Sequence, residues 1–148
     1  MCMNIISETK PEAKVAEQDI VCYKELNECW GGSGKLRSEF MGFEYTKGKL
    51  NELDGEIGIE KGYMFWITNE WKLNEGFHSW VDKPKYNSNG FKRRIFKCII
   101  PKGALYYEGI QHDDTSGYVS DKIIVKECAY YVGFWSFLFD SDGWKWLS

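Results

Sequence analysis

A chain of 148 residues suffices for one domain whose core needs neither disulfides nor a structural metal. Its 43% hydrophobic and 28% charged content excludes a disordered chain, and 17% aromatic residues, seven of them Trp, point to pleated sheet with an aromatic-lined cleft or partner surface. A formal net charge of −3 excludes a generic nucleic-acid or membrane-surface binder.

Residues 1–18 read as a polar leader. Met1 to Glu8 has neither the basic nor the apolar region of a secretory signal, and no apolar run reaches the length of a membrane span. Pro11 at the first position of Pro11–Glu17 fits a short helix. Asp19–Lys24 is the first expected strand, apolar on both faces and therefore internal to a sheet. Trp30–Lys35 is a loop. A phosphate-binding loop would need glycine five residues before Gly34 and Ser or Thr after Lys35, but Cys29 and Leu36 stand there.

Phe40–Tyr45 is a strand, Gly55–Gly62 a connection, and the apolar run Tyr63–Thr68 a buried strand. Gly76–Trp80 precedes a turn-rich segment, Pro84–Gly90. Phe96, Cys98 and Ile100 then alternate on one face of a strand against Ile95, Lys97 and Ile99. Pro101 suits the second position of a β-turn and Gly103 its fourth. Leu105 and Tyr107 restart the alternation, Gln111–Gly117 is a loop, and Val119, Ile123 and Val125 are expected on one side of the next strand. Ala129–Phe139 continues as strand, and Asp140–Gly143 is a turn that lacks the spacing of a calcium loop. Trp144–Leu147 pairs back as a hairpin. The expected fold is α+β: a single domain over residues 19–148, predominantly antiparallel sheet or partly open barrel, with one or two short helices.

Six cations, Lys83, Lys85, Lys92, Arg93, Arg94 and Lys97, fall in a window without an acidic residue, interleaved with Trp80, Tyr86, Phe91 and Phe96. Cations beside aromatic faces hold phosphates while stacking a base, or dock an acidic protein surface. The competing structural role is a solvated hairpin whose charges guard a sheet edge. The expected ligand-binding set is His78, Trp80, Tyr86, Lys92, Arg93 and Arg94, for an anionic small molecule, a nucleotide or an acidic protein surface. His78, between Phe77 and Trp80, is either a proton donor or acceptor lining a pocket or a half-buried structural histidine. His112 lies in the Asp-rich loop, where exposure is expected. Cys98 with His78 would form a thiol nucleophile set, but its place beside Phe96 and Ile100 suits a small buried hydrophobe. Five cysteines, an odd number without framework spacing, fit reduced thiols in a cytoplasmic protein. No Cys-x-x-Cys or His-x-x-x-His occurs, so neither metal nor cofactor is expected. The aromatic run within 129–147 leaves neither face polar and must be covered by its own domain or by a second copy, making a homodimer the alternative.

Asp19–Lys24, Gly76–Trp80, Ile100–Gly109 and Tyr118–Asp121, in this order, resemble small uncharacterised proteins of bacteriophages and gut bacteria. That resemblance implies a host-directed binding protein in the host cytoplasm, either an inhibitor of a defence enzyme or a sequestering protein for a signalling nucleotide. The strand–Pro-x-Gly–strand block is similar, more distantly, to ADP-ribosyltransferase folds. A His, a Tyr and a Glu there carry NAD binding and catalysis, which implies His78, Tyr106 or Tyr107, and Glu127 in those roles. Tyr23-Lys24 stands where that class has His-Gly, and no Glu-x-Glu pair ends a strand. An oligomeric assembly protein is the third alternative.

Overall fold

The computed structural model describes residues 3–28, 35–37, 43–62, 69–83, 94–111, 115–131 and 144–147; side chains 27–28, 94, 127–131 and 144–147 are not described. Trp30–Gly34, Phe40–Gly42, Tyr63–Thr68, Pro84–Gly90, His112 and 132–143 lie outside the described residues, as do Tyr86, Lys92 and Arg93.

The described elements are strands: β1 (Met3–Ile6), β2 (Lys14–Val15), β3 (Ile20–Glu25), β4 (Asn27–Glu28), β5 (Lys35–Arg37), β6 (Glu44–Thr46), β7 (Leu50–Glu52), β8 (Gly58–Lys61), β9 (Glu70–Glu75), β10 (Phe77–Trp80), β11 (Arg94–Ile100), β12 (Leu105–Gln111), β13 (Ser116–Ser120), β14 (Lys122–Tyr131) and β15 (Trp144–Leu147). The main sheet runs β15-β14-β11-β3-β10-β13-β12-β1-β9-β8, with β2 added to β12 and β7 to β14. A small second sheet is β4-β5-β6. Every pairing is antiparallel. The antiparallel expectation therefore holds, and β3 takes the interior place its two apolar faces require. The sheet has two edges, β15 and β8, so it is open rather than a partly open barrel.

Two expectations about the N-terminus are corrected. No helix forms among the described residues. Instead of a helix over Pro11–Glu17, Val15 pairs with Leu105, and Ala16 exchanges main-chain hydrogen bonds with Gly103 and Ala104. A seven-residue helix is too short to offset its nucleation, and the backbone of β12 offers a better partner. Met3–Ile6 is not a leader but an internal strand between β12 and β9, with Met3 fully buried.

The turn after β11 is also shifted by one residue. Ala104 N–H donates to Pro101 O, placing Gly103 third, where its φ of 91° meets the type II requirement for a residue of positive φ. Val119 does not share a face with Ile123 and Val125: Asp121 separates β13 from β14, and these strands lie on opposite sides of β3 in the sheet.

Both faces are covered. On one, Cys22, Phe77, Phe96, Cys98, Ile100, Ile123 and Val125 pack against Leu36 and Tyr45 of the small sheet. On the other, Met3, Leu73, Tyr107 and Val119 form a second cluster, with Trp80 and Ile95 beside Tyr23 in a third. Gly76 alone joins β9 to β10, although β1, β12 and β13 lie between them in the sheet. The sheet must therefore curl around the Met3–Leu73–Val119 cluster. Gly76 makes the corner at φ 145°, and a Cβ there would run into the Val119 side chain.

Candidate functional site

Strand β10 carries the two described members of the expected ligand-binding set. His78 and Trp80, two residues apart, leave the strand on the same face and are both buried. Trp80 is the cross-strand partner of Tyr23, and Tyr23 is in turn the partner of Lys97. Trp80, Tyr23 and Lys97 thus form one transverse row over β10, β3 and β11, two rings followed by a cation. Lys97 and Tyr23 are partly exposed, and Val21, on the same face of β3, is 43% exposed. Glu25 lies on the other side of the row, opposite Ile95.

The basic segment joins the end of β10 to the start of β11. Both strands are antiparallel to β3 and flank it, so residues 81–93 connect two parallel strands across the width of β3. Lys83 lies just beyond β10 and Arg94 opens β11, with its side chain undescribed. The structure describes the strands that flank the basic segment in the chain, β10 ending at Trp80 and β11 opening at Arg94. Tyr23 is the member of the row that sequence reasoning missed. Its signal was the alternation of β3, once the pairing with β10 and β11 was known.

His78 is not a cation at neutral pH. Burial, then the nearby charge of Lys24, pushes its pKa down to about 3. Any part it takes in binding an anion is as a neutral ring.

The alternative trio is spread over three strands, with the Glu127 side chain undescribed. His78 and Tyr107 both flank Val119, on β10 and β12. Glu127 lies on β14, three strand steps from β10. Nor is Cys98 an activated nucleophile. It is fully buried, its thiol donates to Phe96 O at 3.6 Å, and burial raises its pKa well above that of an ordinary thiol.

A second polar cluster sits on the opposite face, between the two sheets. Lys24 is buried, donates to the main-chain carbonyl of His78, and holds its ammonium 5.2 Å from the centroid of the Tyr45 ring. Cys22 shares its face and faces Cys98 directly across the ladder. Burial lowers the Lys24 pKa to about 8 and raises that of Cys22 to about 11, the latter partly offset by the Ser79 hydroxyl. Among the described residues no carboxylate pairs with Lys24; Glu44 of the small sheet pairs instead with Lys35 and Arg37. The sequence did carry a sign of this site: a lysine inside a strand expected to be covered on both faces. Its burial depends on Tyr45, whose place over β3 could not be read from the chain.

No family model, curated protein or solved structure matches this chain.

Proposed function

We propose that this protein is a binding domain that holds an anionic ligand, of nucleotide type or on an acidic protein surface, over the β10–β3–β11 face. The observation that carries this reading is the Trp80–Tyr23–Lys97 row, laid out beside the strand ends from which the basic segment departs. The partly exposed Tyr23 ring, backed by the buried Trp80, offers a stacking surface, Lys97 and the cations of the segment offer charge, and neutral His78 lies on the same face of β10. Glu25 in the next row means that net positive charge comes from the segment rather than from the platform. In its narrower form, suggested by the resemblance to phage proteins, the ligand belongs to a host defence system. No step of catalysis is assigned, because His78 and Glu127 lie three strand steps apart.

The test is titration of the full chain with ATP and, separately, with polyglutamate, followed by tryptophan fluorescence and repeated at rising salt. Binding that weakens with salt and is lost in Arg93→Ala/Arg94→Ala and in Lys97→Ala supports the reading. The thermal transition of Lys97→Ala, a partly exposed position, should shift little, and that of the Arg93→Ala/Arg94→Ala protein is measured beside it so that loss of binding is separated from loss of fold. Binding untouched by these substitutions, or no response to either probe, overturns it.

A further inference from the structure

Cys22 and Cys98 are direct cross-strand partners on β3 and β11, both fully buried and both reduced. Directly opposed residues have their Cβ atoms about 4.5–5.5 Å apart, whereas a disulfide needs roughly 3.5–4.5 Å. The pair is set for a bridging atom better than for a direct S–S bond. One ion bound linearly between two thiolates holds the sulfurs well beyond bonding distance of each other, which suits the wider Cβ spacing of a ladder pair.

Among the described residues, the surroundings offer donors and no carboxylate. Lys24, two residues from Cys22 on the same face, brings a buried positive charge whose hydrogen bond goes to a neutral carbonyl. The Tyr45 hydroxyl, in a residue only 1% exposed, has no hydrogen-bond partner among the described residues, and Tyr45 packs in the same buried cluster as Cys22 and Cys98. A buried, unsatisfied donor of this kind calls for an explanation. Among the described residues, the two thiols are the groups beside Lys24 best able to become anionic.

We propose that Cys22 and Cys98 form a buried two-coordinate site for a soft monovalent cation, copper(I) in particular, with Lys24 as its counter-charge. On binding, each thiol releases its proton to solvent, and two thiolates with one copper(I) carry a net charge of −1. The Lys24 ammonium neutralises it. No electron is transferred. The sulfurs change from weak donors to acceptors, so the Tyr45 hydroxyl gains an acceptor in the Cys98 thiolate. Thiolates select copper(I), while zinc(II) requires four ligands, and no group of three metal-binding side chains occurs among the described residues. The site is on the face of β3 opposite the Tyr23 row, so its failure and that of the anion-binding reading are separable.

The experiment is anaerobic titration of the full reduced chain with copper(I) held by a chromophoric competing chelator. One copper per chain is expected. Binding should be lost in Cys22→Ser and in Cys98→Ser, and weakened about 10- to 100-fold in Lys24→Met, as for loss of a second-sphere partner. X-ray absorption of the unsubstituted protein, which needs no variant to fold, should show two sulfur neighbours in linear geometry. Three sulfur neighbours, equal binding in the Cys22→Ser/Cys98→Ser protein through Cys2, Cys29 or Cys128, or failure to compete with the chelator overturns the proposal.

Discussion

Lys24 donates its hydrogen bond to the main-chain carbonyl of His78, yet the two side chains leave their strands on opposite faces of the sheet. The only buried lysine among the described residues is thus anchored to the backbone of the strand whose imidazole faces the other core. Each group biases the other: the Lys24 charge adds to burial in holding His78 neutral. The linkage makes stability measurable as a function of pH, and it shows that the centre of the sheet carries a charge that packing alone would not choose.

Replacing Lys24 with Met should stabilise the protein at pH 7. The native amine gives up its proton near pH 8 instead of 10.5, so keeping it charged in the core costs about 3 kcal/mol. The hydrogen bond to His78 O returns roughly 1–2 kcal/mol of that. A net gain of about 1–2 kcal/mol is expected from urea unfolding of Lys24→Met, as for other buried charges replaced by apolar residues of like shape. Between pH 8 and 9 the unfolded chain still binds the proton that the native state has lost, so wild type should close part of the gap. A Met variant that is less stable at pH 7 would show that Lys24 serves the fold and not a ligand.

His78 gives a slope of the same sign on the acid side. Its pKa is lowered from 6.5 to about 3, so below pH 6.5 the unfolded chain binds a proton that the native state refuses. Stability should fall by about 1.4 kcal/mol for each pH unit from 6.5 down towards 3, and this dependence should stop above 6.5. In His78→Gln that component of the acid slope disappears. An unchanged slope in the variant would mean that His78 is accessible to protons in the native state.

The sheet's central strands were legible because their chemistry is local: the alternation of Phe96, Cys98 and Ile100, and the two apolar faces of β3, depend only on neighbours in sequence. What misled was punctuation. Asp121 and Gly76 each redirect the chain into a different part of the sheet, and a period-2 pattern read across Asp121 puts Val119 on the wrong face. Met3 looked like part of a leader because an N-terminal strand is defined by its partners, Gln111 and Leu73, more than 60 residues away. For the candidate site, His78 and Trp80 were visible as a pair on one strand. Tyr23 and Lys97 join them only through strand pairing, and Tyr45 over Lys24 only through the packing of a second sheet.

The place of Met3 rests on an absence of side chains opposite it. Gly109 and Gly117 are cross-strand partners on β12 and β13, and the Met3 side chain lies across both. A Cβ on Gly117 would run into the Gln111 amide and stand 2.6 Å from Met3 Cε and 2.7 Å from Ser79 O, so the strand cannot accept alanine without displacing Gln111, Met3 or β10. Gly117→Ala is therefore expected to lose about 1–3 kcal/mol by overpacking, and Met3→Ala about 2–5 kcal/mol by leaving a cavity. Because the new methyl would occupy part of the space that Met3 vacates, the double variant should lose less than the sum, by about 1 kcal/mol. Full additivity in urea unfolding would mean that Met3 does not fill the groove over the two glycines. A coupling of the expected sign would establish that the N-terminal strand is held by shape complementarity to β12 and β13 as well as by its ladder to β9.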